Sequence, residues 1–298
     1  MIFTEIVGVA PIGEVMLKSY LKYHSDTICV YCSEEDRNYL SKNIDSATVE
    51  YIIVNDDILN AYQQGHLGTA KIYADIFLDS TVEDIIHIDS DVIFKKESLS
   101  LIKNELSNGC ALVGPIRRYK ENPNNRPDCE YRENIVSTFF FGFKNSYVTK
   151  RSKEHLIAMF MGNSVDGQPI IDCFDPISFD ILQNGGRIYH LPRQEVGGFS
   201  ETGTDSNIGD FLNCDLEYGE NIIHFAGIGS GFRKFKGDAP YMSEGYALWA
   251  LERYKMFSNL FDIESEIFTL SPPKEELYNK LIEKDNVIRE YKRSLSIK

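Results

Sequence analysis

Residues 84–93 read Asp84-Ile85-Ile86-His87-Ile88-Asp89-Ser90-Asp91-Val92-Ile93 and join an apolar strand to two carboxylates. The apolar run that ends at Ile88 is typical of a strand buried on both faces. Two carboxylates this close repel each other, and a hard divalent cation with oxygen ligands relieves the repulsion. We therefore expect Asp89 and Asp91 to hold Mg²⁺ or Mn²⁺, with Ser90 beside the bound ligand, although an isolated pair of this kind is also common in solvated turns.

Strands and helices alternate over the first hundred residues. Strands are predicted at 2–9, 28–31, 49–54 and 84–88, and helices at 15–24, from Ser33 onward and at 69–78, with Pro11-Ile12-Gly13 as a turn. Ser33 is the predicted N-cap of the second helix, and Asp36 three residues later brings the pair close to a capping box. This alternation indicates an α/β fold in which helices cover both faces of a parallel sheet. Ligands of such sheets bind beyond the carboxyl ends of the strands, so the site is expected after Val9, Val54 and Ile88.

The composition narrows the class of protein. The chain has 298 residues, 43% of them hydrophobic, which is enough for a large core and excludes global disorder. Its net charge of −14 argues against stable binding of nucleic acid or of an anionic membrane. No segment approaches the roughly 18 apolar residues of a membrane span. The first residues, which carry Glu5 and no basic start, predict a strand and not a signal peptide.

The cysteines favour a reducing compartment. There are six, at Cys29, Cys32, Cys110, Cys129, Cys173 and Cys214. Cys29 and Cys32 have C-x-x-C spacing, but they lie in a predicted strand, where residues three apart point to opposite faces. No second pair exists to complete a zinc site. Buried, reduced thiols and a cytoplasmic location are therefore expected.

A second segment combines a histidine, glycines and two cations. It reads Ile222-Ile223-His224-Phe225-Ala226-Gly227-Ile228-Gly229-Ser230-Gly231-Phe232-Arg233-Lys234. The imidazole of His224 can complete a metal site held by two carboxylates. Glycines such as Gly227 let backbone N–H groups approach phosphate oxygens, and Arg233 or Lys234 can neutralise a diphosphate. Taken alone, His224 fits a core histidine better than a metal ligand, and the glycines fit an ordinary loop.

Together the two segments resemble the glycosyltransferases of the GT-A fold, in particular the glycogenin-like and bacterial lipopolysaccharide galactosyltransferase-like family. That family pairs an apolar strand ending in D-x-D with a late H-F-x-G segment, which supplies the third metal ligand and a diphosphate contact. The resemblance covers roughly residues 1–236 by motif order. It implies a mixed sheet flanked by helices and a metal site formed by Asp89, Asp91 and His224.

The resemblance also implies a set of residues that bind the nucleotide-sugar donor. Besides Ser90, Gly227, Arg233 and Lys234, these are Val9, Ala10, Pro11, Asp56, Lys71 and Gly142. Structural alternatives remain open for three of them. Lys71 also fits a solvated surface lysine, Asp56 a plain turn, and Gly142 a buried aromatic strand.

Two further carboxylates are candidates for catalysis. The segment 172–182 resembles the helix start D-Q-x-x-L-N of the family, with Asp175 at the position of its aspartate and Asp172 just upstream. Pro176 stands where the family has glutamine, and Asp180 where it has asparagine. The K-P-W ending of the late motif is absent. These departures bear on the sugar and on the stereochemical outcome and leave the metal ligands unchanged. Asp175 is equally suited to cap a helix.

The predicted function is transfer of a sugar from a nucleotide-diphosphate sugar, UDP-sugar favoured, to an acceptor hydroxyl, with retention implied by the resemblance. The acceptor is expected to be a surface saccharide. A nucleotidyltransferase is the first alternative, although the loop after the first strand lacks the cation that such enzymes use. A non-catalytic nucleotide-sugar-binding scaffold is the second.

The C-terminal residues differ from the rest. Residues 271–298 predict an amphipathic helical tail behind a domain at 1–270, because apolar residues there recur every three or four positions. A helix packed on its own domain is the simpler reading. A short coiled coil through 274–298, giving a homo-oligomer, is the other.

Overall fold

The computed structural model describes residues 1–62, 66–79, 81–117, 132–136, 138–161, 164–165, 168–169, 174–191 and 222–224. The helices within these ranges are α1 (Ala10–Tyr23), α2 (Glu34–Asn43), α3 (Asp56–Tyr62), α4 (Leu67–Leu78), α5 (Leu99–Ser107), α6 (Lys153–Met161) and α7 (Asp175–Gln183). The strands are β1 (Ile2–Ile6), β2 (Ile28–Cys32), β3 (Val49–Ile53), β4 (Asp84–Ile88), β5 (Val92–Phe94), β6 (Leu112–Arg117), β7 (Arg132–Val136), β8 (Phe140–Lys144), β9 (Ser164–Val165), β10 (Gln168–Pro169), β11 (Ile188–Leu191) and β12 (Ile222–His224).

The main sheet is mixed. Its strand order is β11-β6-β8-β4-β1-β2-β3, and β7 pairs with β6. Strands β3, β2, β1 and β4 run parallel, whereas β8 runs antiparallel to both β4 and β6. The predicted α/β fold, a mixed sheet flanked by helices, is confirmed. Because β1 and β4 are parallel neighbours, the loop after Ile6 and the carboxylates after Ile88 lie at the same edge of the sheet.

Two apolar clusters pack against the sheet, one on each face. One contains residues of α1 and α5, and the other contains residues of α4, α6 and α7. Strand β2 contributes to both: Cys32 belongs to the first cluster and Cys29 packs against the second, so the predicted opposite orientation is confirmed. Both thiols are free, and burial raises the pKa of Cys32 to about 12, which keeps it protonated.

The first strand is shorter than predicted and the first helix longer. Strand β1 ends at Ile6, and Gly8 turns the chain with a φ of 71°. The predicted turn Pro11-Ile12-Gly13 was wrong, because these residues lie in the first turns of α1. Proline is well suited to a first turn, which needs no hydrogen bond from its nitrogen. A Cβ at Gly13 would lie 2.4 Å from the Ile6 side chain, so glycine here allows the helix to pack on the strand.

The capping box predicted at Ser33 and Asp36 is present at the start of α2. The Asp36 carboxylate also accepts a hydrogen bond of 2.9 Å from the Gly8 backbone N–H. This bond joins the loops after β1 and β2 at the edge where ligands are expected. Among the described helices, none is both long and apolar enough to cross a membrane.

Candidate functional site

Asp89 directly follows β4 and lies at the edge of the sheet. The Asp89 backbone N–H donates a hydrogen bond of 2.8 Å to the carbonyl of Phe139, the residue before the antiparallel neighbour β8. The Asp89 carbonyl in turn accepts a hydrogen bond of 3.3 Å from the Val92 N–H, which closes a tight turn around Ser90. The turn leads into β5 and leaves the Asp91 side chain buried.

His224 reaches this turn through strand pairing. Strand β12 runs antiparallel to β5, with His224 opposite Val92. This pairing brings His224 to the end of β5 that follows the turn carrying Asp91. His224 Nε2 lies 3.3 Å from Asp91 Oδ1 and 3.7 Å from Asp89 Oδ2. One ligand atom from each of the three residues lies within 4.8 Å of the others, so the three predicted metal ligands are brought together.

The donor set fits a divalent cation. Asp91 Oδ1 is buried and makes no hydrogen bond within the described part of the chain. A buried carboxylate oxygen without a donor is costly unless a cation compensates for it. Two carboxylate oxygens and one imidazole nitrogen suit Mn²⁺ and are compatible with Mg²⁺. The group of Asp89, Asp91 and His224 could therefore hold a metal ion.

A second histidine, His87, contacts the Asp89 carboxylate, and the sequence interpretation did not identify it. The buried ring of His87 on β4 has Nε2 at 3.6 Å from Asp89 Oδ1. Its Nδ1 lies 2.9 Å from the Thr138 carbonyl oxygen, and the Tyr73 hydroxyl lies 3.3 Å from each ring nitrogen. The signal was available: His87 is the one polar residue in an apolar run, and it precedes Asp89 by two, the spacing that shares a face of a strand.

The residues predicted to bind the nucleotide lie at the start of α1. Val9, Ala10 and Pro11 are all buried. The Val9 carbonyl accepts hydrogen bonds of 2.9 and 3.1 Å from the N–H groups of Ile12 and Gly13. It is therefore occupied by the helix, and the donor-binding role of these residues stays a prediction.

Lys71 on α4 is not a solvated lysine. Its Nζ lies 2.5 Å from Asp57 Oδ2, and the lysine side chain is only 17% exposed, against 75% for that of Asp57. Asp56 and Asp57 begin α3, so they do not form a plain turn. The Lys71 ammonium group is thus paired with an exposed carboxylate while its own side chain is largely buried.

Gly142 and Asp175 are buried. A Cβ at Gly142 would lie 2.3 Å from Ile102 Cγ2, so this glycine allows α5 to approach β8. Asp175 is fully buried and occupies the first position of α7, with Phe174 as the N-cap residue. The suggestion that Asp175 is the capping residue was therefore wrong. Its acidic group in the first turn still interacts favourably with the helix dipole.

Asp180, which stands where the family has asparagine, is structural. Its Oδ1 accepts a hydrogen bond of 2.7 Å from Arg151, and its Oδ2 accepts one of 3.2 Å from the Thr149 N–H. The remaining predicted site residues, namely Asp172, Gly227, Arg233, Lys234 and the tail at 271–298, lie outside the described residues.

Similarity to known proteins is found only among solved structures. No family model and no curated protein matches the chain. Among solved structures it is similar to the apo form of mouse xyloside xylosyltransferase 1, with 12% identity over 76% of this chain and 97% of that one and a TM-score of 0.45. It is also similar to an active-site mutant of LgtC, with 16% identity over 64% and 72% and a TM-score of 0.43. A third is the 4-diphosphocytidyl-2C-methyl-D-erythritol synthase of Anaerococcus prevotii, with 13% identity over 64% and 85% and a TM-score of 0.39. Likeness at this level says nothing about the substrate or reaction of this chain.

Proposed function

We propose that the protein is a metal-dependent glycosyltransferase that moves a sugar from a nucleotide-diphosphate sugar, UDP-sugar favoured, to a hydroxyl group of an acceptor. One observation carries the proposal: Asp89, Asp91 and His224, from segments more than 130 residues apart, have ligand atoms within 4.8 Å of one another. They meet at the carboxyl end of β4, the edge at which α/β sheets bind ligands. The order of the two motifs, D-x-D and then H-F-x-G, supports the same reaction class.

The three residues would hold Mn²⁺ or Mg²⁺ against the two phosphates of the donor. When bound, the cation would offset the negative charge that builds on the departing nucleoside diphosphate. Lys71, Arg233 and Lys234 would add positive charge to the same group, and Ser90 and Gly227 would approach it through backbone N–H groups. Val9, Ala10, Pro11 and Asp56 would hold the nucleoside, because the loops after β1 and β3 share this edge.

Two carboxylates and the acceptor hydroxyl would act at the anomeric carbon of the sugar. Asp175 and Asp172 are the candidates to orient the sugar and stabilise positive charge at its anomeric carbon as the bond to the diphosphate breaks. The acceptor hydroxyl, which we place on a saccharide, would then attack that carbon with retention of configuration. A cytoplasmic location belongs to this proposal and is supported by the free thiols of Cys29, Cys32 and Cys110. Gly142 would act indirectly, by setting the position of β8.

A donor screen tests the function. Binding of UDP-, GDP- and CDP-sugars is measured by calorimetry with Mn²⁺ and again with EDTA, and the products of donor turnover are identified. The proposal expects Mn²⁺-dependent release of a nucleoside diphosphate and a free or transferred sugar. Release of pyrophosphate would indicate a nucleotidyltransferase. Binding of the donor without turnover would indicate a scaffold, and unchanged turnover in EDTA would contradict the metal dependence.

A further inference from the structure

Phe139 touches both halves of the metal centre. Its carbonyl accepts the Asp89 N–H at 2.8 Å, and its ring stacks on the His224 imidazole, with centroids 4.4 Å apart and planes at 7°. The preceding carbonyl, that of Thr138, lies 2.9 Å from His87 Nδ1. Two successive carbonyls are thus fixed by the buried strand β4, so the Phe139 ring stands on a rigid base.

The stack restrains the tilt of the His224 imidazole and does not contact the ring edge that carries its nitrogens. A parallel ring at this distance covers one face of His224 and limits rotation of the imidazole out of its plane. Coordination and hydrogen bonding use the edge of an imidazole, which a ring stacked on its face does not contact. His224 Nε2 faces Asp91 Oδ1 at 3.3 Å, while Nδ1 makes no hydrogen bond within the described residues. Metal-ligating histidines are usually oriented by a hydrogen bond from their second ring nitrogen. At His224, the stacked Phe139 ring would supply that orientation instead.

We propose that Phe139 is a positioning residue for the metal centre, one that holds the His224 imidazole in the plane in which Nε2 points at Asp89 and Asp91. This inference rests on the metal site of the proposed function. An imidazole that binds a cation becomes electron-poor, and the negative face of a benzene ring attracts it more strongly than it attracts the metal-free ring. The stack therefore favours the metal-bound state as well as the required orientation.

Three variants of the full chain separate this role from simple core packing. Phe139→Leu removes the ring but keeps the carbonyl that binds Asp89. Phe139→Tyr keeps an aromatic face. Phe143→Leu is the matched control, because Phe143 is fully buried on the same strand region and packs on Phe77, Phe141 and Phe174, away from the metal ligands.

The Mn²⁺ dissociation constant of each variant is measured by calorimetry, and its unfolding midpoint is measured in EDTA. Phe139→Leu is expected to weaken Mn²⁺ binding about three- to tenfold, the range of a lost aromatic contact, while Phe139→Tyr and Phe143→Leu stay within about twofold of the parent. Unchanged Mn²⁺ affinity in Phe139→Leu, or equal losses in Phe139→Leu and Phe143→Leu, would overturn the positioning role alone. A parent protein that binds no Mn²⁺ would overturn the proposed function together with it.

If Phe139→Leu unfolds, a second measurement decides. A double-mutant cycle between Phe139→Met, which removes the ring but fills much of its space, and His224→Ala, followed by urea unfolding without metal, measures the coupling of the two rings in the free protein. A coupling energy of zero between two rings in direct contact would contradict the inference, and a measurable one supports it.

Discussion

His87 and His224 contact different oxygens of the same carboxylate, and their surroundings differ. His87 Nε2 lies 3.6 Å from Asp89 Oδ1, and His224 Nε2 lies 3.7 Å from Asp89 Oδ2. The His87 side chain is 2% exposed and has protein partners at its ring nitrogens. The His224 side chain is 12% exposed, and within the described part of the chain its Nε2 faces the carboxylates of Asp89 and Asp91. The surrounding groups, and not proximity to Asp89, therefore distinguish a histidine that supports the site from one that can bind an ion.

Removal of a metal ligand should have the largest effect. His224→Ala and Asp91→Asn are each expected to lower Mn²⁺-dependent donor turnover by more than the roughly 10- to 100-fold typical of residues around a metal site. Circular dichroism should show an intact fold, because both side chains lie at the edge of the core. Steady-state kinetics with the donor identified by the screen is the measurement. Turnover within twofold of the parent would remove these residues from the site.

Replacement of His87 should mainly lower the free energy of unfolding. His87→Leu leaves the Thr138 carbonyl and the Tyr73 hydroxyl without this partner, which is expected to cost about 1–3 kcal/mol in the free energy of unfolding. Urea denaturation measures it, with Ile86→Leu on the same strand as the control. If His87→Leu instead abolished Mn²⁺ binding with no loss of stability, the division between the two histidines would be reversed.

Lys71 tests whether positive charge near the site serves the donor or the metal. Lys71→Met should raise the dissociation constant of the nucleotide-sugar donor about tenfold, the effect of one charge-assisted hydrogen bond, and leave Mn²⁺ binding unchanged. Asp57→Asn is the control, since it removes the ion-pair partner and keeps the ammonium group. Equal donor affinity in Lys71→Met and the parent would confine Lys71 to its ion pair with Asp57.

A third histidine, His24, provides a reference outside the group of Asp89, Asp91 and His224. Its Nδ1 lies 3.0 Å from the Tyr20 carbonyl oxygen, and its Nε2 accepts the Ser98 N–H at 3.0 Å. Burial lowers its pKa from 6.5, although that carbonyl and the Glu97 carboxylate oppose the shift. The unfolded chain therefore binds more protons below about pH 6.5, so this histidine stabilises the fold above that pH and its contribution is lost as the pH falls.

The measurement is the free energy of unfolding between pH 7.5 and pH 5, compared with that of His24→Gln. A smaller loss of stability in the variant over this window is expected, and it should be the smallest of these effects. An identical pH dependence in both proteins would show that His24 does not titrate differently on folding.

The sequence was informative where structure is local. The strand at 84–88 and the capping box at Ser33 follow from patterns within ten residues, and both are confirmed. The start of α1 was mispredicted because Gly13 reads as a turn residue until Ile6 is known to lie against it. Likewise, nothing local indicates that Asp180 pairs with Arg151.

The candidate site likewise combines local features, which the sequence predicts, with long-range contacts, which it does not. The carboxylates could be predicted from one segment, and His224 was added from the order of two motifs. The pairing of β12 with β5 that unites them is a long-range contact, and so is the stack of Phe139 on His224. Strand period alone would have marked His87, since it shares a face with Asp89, whereas its bond to Thr138 depends on the position of β8.

Anomalous diffraction from crystals grown with Mn²⁺ would show whether the three side chains bind one ion. A manganese peak among Asp89, Asp91 and His224 Nε2 is expected. A crystal that shows well-ordered side chains at these three residues and no peak among them, with manganese absent or bound elsewhere, would contradict it.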